Sequence, residues 1–442
     1  MKPIKTLYLL VLGSLTLLWL LAENDLTGKT EFMALRASFI NYSGIIAMSM
    51  MSIAMILAVR PALLEPLMDG LDKSYRLHKW LGITGLVLAI SHWLLVNAPK
   101  WMIGWGWMER PARGPRPEQT VEIFQWFQSQ RQLAESIGEW SFYAVVVLLF
   151  LALYKAFPYR YFFKTHRLVP VAYLFLVFHS LVLMDFSYWT EALGPIMALL
   201  LTLGTVSAMM SLFGRIGRKR RTNGSVTAIS QHADNRVLRV DIDLSGSWPG
   251  HKAGQFAFVT FDSREGPHPF TISSPWNNDG KMFFLIKGLG DYTRALPDTL
   301  KTGDPVTIEG PYGQFDFSSE RSRQIWVAGG IGITPFLARL QKMQGDRDSK
   351  AIDLFYSTAL PDEHFIAKLR EAAKSAGIGL HILIDAVDGK LDADQICNSV
   401  PDWQNADLWF CGPSSFGKSL RRDFSARGLP ANYFHQELFA MR

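Results

Sequence analysis

Cysteine is nearly absent from this chain. Of 442 residues only Cys397 and Cys411 are cysteines, and both lie in the C-terminal half. Two thiols do not build a disulfide framework or a cysteine-rich zinc site, and they fall short of the four that hold an iron–sulfur cluster. Histidine is scarce before residue 222, where only His78, His92, His166 and His179 occur. No internal repeat or low-complexity segment stands out. The net charge of +6 is modest and does not call for nucleic acid. Its clearest cluster is Arg215, Arg218, Lys219, Arg220 and Arg221, at the end of an apolar run. An inner-membrane protein concentrates cations at such a place.

What the first half does have is long apolar runs. Six are long enough to span a bilayer: Leu7–Ala22, Ile40–Val59, Trp80–Val96, Trp140–Leu153 (extending to Phe157), Leu168–Met184 and Leu193–Phe213. A span needs ~20 apolar residues, fewer where aromatic and charged flanks carry the ends. The first run follows Lys2 and Lys5, as a secretory signal would. It is long for one and no small-x-small cleavage site follows, so an uncleaved first helix is expected.

Charge sets the expected orientation. Arg60, Lys73, Arg76 and Lys79 lie between the second and third runs, and Lys155, Arg160, Lys164 and Arg167 between the fourth and fifth. With the cluster after the sixth run, these segments belong on one side, which the positive-inside rule makes the cytoplasm. The loop 98–139 is then external. It carries Arg110, Arg113, Arg116 and Arg131, but long loops cross largely regardless of charge. A solvated basic loop is the simpler reading of Arg110, Arg113 and Arg116. An interface anchor is the simpler reading of the Trp-rich stretch Trp101–Trp107.

From Thr222 the period changes. Ser225–Gln231, Arg236–Asp243, Gln255–Phe261, Lys281–Lys287 and Pro305–Glu309 read as short strands between Gly, Pro and Asp turns, which predicts an antiparallel β-barrel. From Arg323 strands alternate with helices. Ile325–Ala328, Ala351–Tyr356, Leu380–Ile384, Asp407–Cys411 and Tyr433–Glu437 are the predicted strands, with Ala367–Ala376 and Phe416–Ala426 the clearest helices. Such alternation predicts an α/β doubly wound parallel sheet.

The four early histidines fall two in the predicted third helix and two in the fifth, His78 and His166 just ahead of the apolar runs and His92 and His179 within them. Ionisable residues inside spans are rare and functional by default. His78 and His92 are 14 residues apart, or ~21 Å along a helix; His166 and His179 are 13 apart, or ~20 Å. Both runs go from inside to outside, so His78 lies level with His166 and His92 with His179. Two level pairs within a ~30 Å core suit two stacked haems, for which imidazole is a standard axial ligand. A non-haem metal needs its ligands gathered round one ion. A proton relay needs acidic partners, which the third and fifth runs lack; Asp185 comes only at the outer end. A separation of 13 turns the two side chains ~140° apart on an ideal helix. The fifth helix is therefore expected to bend, or His166 to sit at an irregular start, with Pro170 as the reason.

Three segments read as a flavin site: Ala253-Gly254-Gln255-Phe256, then His268-Pro269-Phe270-Thr271-Ile272-Ser273-Ser274, then Lys287-Gly288-Leu289-Gly290-Asp291-Tyr292-Thr293. The last follows a strand and opens a short helix, where backbone N–H groups can hold a diphosphate. Val327-Ala328-Gly329-Gly330-Ile331-Gly332-Ile333-Thr334-Pro335-Phe336 follows the first sheet strand and opens a helix. Its glycines let a phosphate approach, although it is not the common G-x-G-x-x-G fingerprint. Cys411-Gly412-Pro413 ends the fourth strand at the carboxyl edge, and Cys411 reads as a packing or substrate-facing thiol.

With these residues in view, the chain resembles the ferric reductase and NADPH oxidase superfamily. The H-x13-H of the third run and H-x12-H of the fifth resemble its membrane half. The HPFTISS, GDYT, GGIGITP and CGP segments resemble its ferredoxin-NADP reductase-like dehydrogenase half. The resemblance covers almost the whole chain and looks closest to bacterial NADPH oxidase-like members. It implies a transmembrane di-haem domain (1–215), an FAD-binding β-barrel (222–318) and an NAD(P)H-binding domain (319–442). It implies that His78 and His166 ligate an inner haem b and His92 and His179 an outer one. His268, Pro269, Phe270 and Thr271 would line FAD, Thr271 nearest the isoalloxazine, with Gly290, Asp291, Tyr292 and Thr293 near its diphosphate or ribityl chain. Gly329, Gly330, Gly332 and Thr334 would hold the dinucleotide, with Cys411, Gly412 and Pro413 at its reactive end. Glu437-Leu438-Phe439 resembles the family's E-G-F ending, so Phe439 would stack on the flavin; Leu438 departs from the usual glycine. NADPH-selective members often place an arginine after the second sheet strand, whereas this chain has Tyr356-Ser357-Thr358-Ala359-Leu360, leaving NADPH and NADH both open. The expected function is a multi-pass inner-membrane oxidoreductase with its dehydrogenase half in the cytoplasm. It would move electrons from NAD(P)H through FAD and two haems to O2, giving superoxide. A ferric chelate, or a partner protein or quinone, is the alternative acceptor.

Overall fold

The computed structural model describes residues 2–23, 26, 28–109, 120–232, 236–343 and 350–437. Two compact units emerge, the first drawn from residues 1–64 and 73–216, the second from 65–72 and from residue 217 onward.

The first unit is helical: α1 (Lys2–Ala22), α2 (Phe32–Ala58), α3 (Leu71–Gly104), α4 (Glu122–Leu153), α5 (Tyr159–His166), α6 (Val169–Leu183) and α7 (Leu193–Leu212). Among the described residues six stretches are long and apolar enough to cross a membrane, α5 and α6 together making one. Each predicted run falls on one of them, with Val59, Met184, Phe213 and the extension to Phe157 lying just beyond the helix ends. α2, α3 and α4 begin well before their apolar runs because backbone hydrogen bonding extends past the apolar stretch. α3 has 34 residues, or ~51 Å against a ~30 Å hydrocarbon core. Pro170 stands in the first turn of α6, and the chain leaves regular helix at Arg167 and Leu168. This interruption turns His166, the last residue of α5, out of the frame of α6. The angle that 13 residues could not satisfy on one helix is thereby met. α2 packs on α7 and α4 on α6. Leu9, Leu10, Phe150 and Leu199 are exposed on the bundle's outside, as lipid-facing side chains are.

In the second unit β1 (Arg221–His232), β2 (Val237–Leu244), β3 (Phe256–Thr260), β4 (His268–Thr271), β5 (Lys281–Lys287) and β6 (Pro305–Tyr312) form one sheet in the order β4-β3-β6-β1-β2-β5, with α8 (Asp291–Thr299) beside it. All of its pairings are antiparallel. An isolated Ile272–Phe284 bridge joins the continuation of β4 to β5, so the two ends of the sheet meet. β4 was missed in the sequence because Pro269 interrupts a four-residue run; at the end of a sheet a missing N–H is tolerated.

The parallel sheet consists of β7 (Arg323–Gly329), β8 (Ala351–Thr358), β9 (Gly379–Ile384), β10 (Ala406–Cys411) and β11 (Phe434–Gln436), ordered β11-β10-β7-β8-β9. α9 (Thr334–Met343) and α10 (Glu363–Ala376) cover one face over Trp326 and Trp409. The short α11 (Asp385–Asp388) follows β9. α12 (Ala393–Ser399) and α13 (Ser414–Ala426) cover the other face over Val327 and Phe410. Consecutive residues of each strand thus enter opposite cores, as a doubly wound fold requires.

Candidate functional site

The histidines form the two pairs that their spacing predicts. The His78 and His166 rings lie with centroids 6.1 Å apart and planes at 76°, and those of His92 and His179 are 6.2 Å apart at 79°. A metal–imidazole bond is ~2.0 Å, and the ring centre lies ~1 Å further on. Two imidazoles on opposite sides of one metal therefore stand roughly 6 Å apart.

Three of the rings are oriented by carbonyls of neighbouring helices. His78 Nδ1 lies 2.9 Å from Ala54 O, His92 Nδ1 3.0 Å from Ile40 O, and His179 Nδ1 2.8 Å from Ala134 O. A carbonyl only accepts, so each Nδ1 carries the proton and Nε2 keeps its lone pair. Ligating histidines are held this way, with the second nitrogen donating to a carbonyl. Ser43 Oγ lies 3.2 Å from His92 Nδ1 while its own hydroxyl donates to helix carbonyls, so it shares that proton as a second acceptor. His166 differs. Its Nδ1 is buried with no partner among the described residues, and its ring stacks on Phe162, centroids 5.2 Å apart. Two glycines make room for the outer pair. A Cβ on Gly138 would lie 2.0 Å from His179 Nδ1, and one on Gly44 3.3 Å from His92 Cε1. These residues fit a metal held between two imidazoles in each pair.

In the second unit the flavin-type segments come together. β4 pairs with β3, His268 opposite Val259 and Thr271 opposite Phe256. The His268 ring stacks on Tyr292, centroids 4.5 Å apart and 20° from parallel, which joins the HPFT and GDYT segments. Burial pulls the His268 imidazole down to about 4, so it is neutral at pH 7. Burial likewise pushes the Tyr292 phenol up to about 12. Pro269 and Phe270 are half-buried, Thr271 is buried and Asp291 is exposed. Ser273 and Ser274 serve the fold: their hydroxyls accept from Leu285 N at 3.1 Å and Phe283 N at 3.3 Å. Gly290 caps α8, and Thr293 Oγ1 accepts from the N–H groups of Leu289 and Gly290 at 3.1 and 3.0 Å. The loop is fixed, but those two donors are directed at Thr293.

The nucleotide-type segments also meet. Strand order reverses between β7 and β10, and in open α/β sheets ligands bind at such a switch point, outside the carboxyl ends of the strands. Gly329, Gly330 and Gly332 leave β7 there, and Cys411, Gly412 and Pro413 end β10. A Cβ on Gly332 would lie 2.1 Å from Cys411 O, and Gly330 holds φ +56°. Thr334 begins α9 and is buried. Cys411 is fully buried; burial pushes its thiol well up, and the Glu437 carboxylate adds to the rise. Cys411 is thus a packed thiol beside a buried acid. Leu438 and Phe439, like Arg110, Arg113 and Arg116, lie outside the described residues.

Two contacts escaped the sequence reading. Lys287, read there only as a strand end and the start of a flavin-type segment, places Nζ 3.8 Å from where a Cβ on Gly330 would be, which brings a cation to the glycine-rich turn. Asp385, just past β9, accepts from Ser357 Oγ at 3.1 Å, which sets a carboxylate at the carboxyl edge. Neither neighbour is near in sequence, so no local signal marked these contacts.

The family description "Ferric reductase like transmembrane component" matches residues 43–177, and "FAD-binding domain" matches residues 224–316. Among curated proteins the chain is similar to the reductase component of propane 2-monooxygenase from Rhodococcus jostii (24% identical over 208 residues, 42% of this chain and 55% of that protein). It is also similar to a flavohemoprotein from Xylella fastidiosa (27% over 215 residues, 43% and 51%). A third is the ferredoxin–NAD(+) reductase component of an alkene monooxygenase system from Xanthobacter autotrophicus (28% over 210 residues, 44% and 63%). The matched region thus spans less than two thirds of the length of each of these relatives. Among solved structures are the FAD/NAD-binding domain of a nitric oxide dioxygenase from Vibrio cholerae (20% identity, TM-score 0.42, 49% of this chain and 97% of that one) and a flavohemoglobin from Malassezia yamatoensis (17%, 0.48, 92% and 98%).

Proposed function

Because this chain belongs to the ferric reductase and NADPH oxidase-like superfamily, with a ferredoxin-NADP reductase-type dehydrogenase half, we propose that it carries electrons from cytoplasmic NAD(P)H, by way of FAD and two b-type haems, to an acceptor across the membrane. The observation that carries this reading is the two pairs of imidazoles, 6.1 and 6.2 Å between ring centres, inside the ferric reductase-like helices. The bound flavin supplies the conversion from paired to single electrons, and the haem irons supply the outward relay.

The chain's own residues do the holding. His78 and His166 would hold the inner iron, His92 and His179 the outer. His268, Pro269, Phe270 and Thr271 would face the flavin, with Gly290 to Thr293 toward its diphosphate or ribityl chain and Phe439 stacked on the ring. Gly329, Gly330, Gly332 and Thr334 would seat the dinucleotide at the switch point, beside Cys411, Gly412 and Pro413. The division into 1–215, 222–318 and 319–442 follows these three tasks, and the bacterial inner membrane with the reductase half inside is the proposed setting.

Oxygen, giving superoxide, is the first choice of acceptor. A ferric chelate is the second, favoured by the family description itself. A partner protein or quinone is the third, favoured by relatives that are reductase components of larger systems. The deciding experiment uses the purified, FAD-supplemented chain with NADH or NADPH. Dismutase-sensitive cytochrome reduction in air assigns the oxidase. Anaerobic chelate reduction without that signal assigns the ferric reductase. Flavin and haem reduction with no output to either acceptor assigns the partner-fed role.

Two expectations concern the nucleotide. Lys287→Ala should raise KM for NAD(P)H roughly tenfold, since it removes a cation from beside the phosphate turn, while FAD content stays unchanged. A KM equal to that of the parent refutes the contact. The Asp385 carboxylate suits the two hydroxyls of an adenosine ribose and repels a 2′-phosphate, so NADH should be preferred. Asp385→Asn should narrow the NADH-to-NADPH ratio of kcat/KM about tenfold, and an unchanged ratio removes Asp385 from selectivity.

A further inference from the structure

A basic cavity lies in the second unit where β1 begins. One wall is Lys219, Arg220, Arg221, Thr222 and Asn223; the other comes from Ser245, Gly246, Ser247 and Pro249 in the loop after β2. Its volume is about 540 Å³, and no carboxylate lines it. The walls are tied together: Thr222 Oγ1 donates to Ser247 O at 2.5 Å and Ser245 N to Asn223 O at 2.8 Å.

Its cations are held in place. Arg220 Nη1 pairs with Glu65 Oε2 at 3.3 Å and donates to Pro311 O at 3.2 Å, and the guanidinium lies over the Tyr312 ring, 4.8 Å from its centroid. Arg221 Nε donates to Glu309 Oε2 at 2.9 Å. Neither glutamate lines the cavity. Each holds one guanidinium in place, and the named bonds of Arg220 use one nitrogen of a group with five N–H donors. Lys219 is exposed at the rim. A preformed cavity with a lysine, two oriented arginines and serine and threonine hydroxyls has the chemistry of a phosphate site. It begins at Lys219, seven residues after Leu212 ends the last span, where juxtamembrane cations meet anionic lipid.

We infer that this cavity binds a phosphate group, as presented by an anionic phospholipid headgroup or by a free phosphate compound. This site is separate from the flavin and nucleotide segments and adds to the electron-transfer reading a dependence on membrane composition. The test is native mass spectrometry of the delipidated full chain, titrated with dioctanoyl phosphatidylglycerol, dioctanoyl phosphatidylcholine and glycerol 3-phosphate. Saturable binding of phosphatidylglycerol is expected, weakened roughly ten- to thirty-fold by Lys219→Glu and retained by Lys219→Arg. Preference for the lipid assigns the headgroup as the source; equal binding of glycerol 3-phosphate assigns a free phosphate compound. The inference is overturned by equal binding of phosphatidylcholine, by no saturable binding, or by an equal loss in Arg215→Glu, whose cation is off the cavity and reports diffuse attraction.

Discussion

Leucine in place of His92 is expected to leave one haem per chain instead of two and to lower reduction of any external acceptor by ~100-fold or more, while NAD(P)H still reduces the flavin. His179→Leu should do the same, because the two rings lie 6.2 Å apart and the outer iron would keep only one of the two imidazoles that would hold it. Pyridine haemochrome stoichiometry, external acceptor reduction and stopped-flow flavin absorbance give the three readouts on one sample. Ser43→Ala is the contrasting variant. It removes one of two acceptors for the His92 Nδ1 proton and leaves Ile40 O in place. It should keep both haems and shift only the midpoint potential of the outer one, as changes behind a ligand do. Two haems and full external activity in His92→Leu would sink the ligand assignment.

The second large effect is expected from a single methyl group. Gly332→Ala should abolish nicotinamide-driven flavin reduction, or lower its kcat/KM by ~100-fold, and leave FAD and haem content intact. The new Cβ would lie 2.1 Å from Cys411 O, 2.5 Å from Cys411 C and 2.8 Å from Gly412 N. All three are backbone atoms, so no side chain can swing aside. Either the β7 turn or the end of β10 must move, and overpacking of this kind typically costs about 1–3 kcal/mol, occasionally more. Both segments border the switch point, so the displacement falls on the dinucleotide site. Dithionite should still reduce flavin and haems in this variant. A variant that uses NADH normally would place the dinucleotide elsewhere.

Much of the architecture was legible because its signals are local. Lipid demands ~20 apolar residues per span, so the six runs could be read directly, as could the change of period after Thr222. The exceptions have local causes as well. β4 was hidden by Pro269, and the starts of α2, α3 and α4 were understated because helical hydrogen bonding extends past the apolar stretch. The pairing of the histidines was legible too, from a fixed rise per residue and the direction of two helices.

The sequence by itself determined the number of candidate spans, the pairing of the histidines, the order of the flavin- and nucleotide-type segments and the break expected before His179. Each of these depends on composition or spacing within one stretch of chain. Only the tertiary structure decided which atoms support those residues. The carbonyls of Ala54, Ile40 and Ala134 that fix three imidazoles, the space that Gly138 leaves for His179, and the approach of Lys287 to Gly330 and of Glu437 to Cys411 are contacts across the fold. A backbone carbonyl has no side-chain identity to read, and a glycine shows what it makes room for only when its neighbour is in place. Those placements follow from close packing of distant segments, which no local pattern encodes.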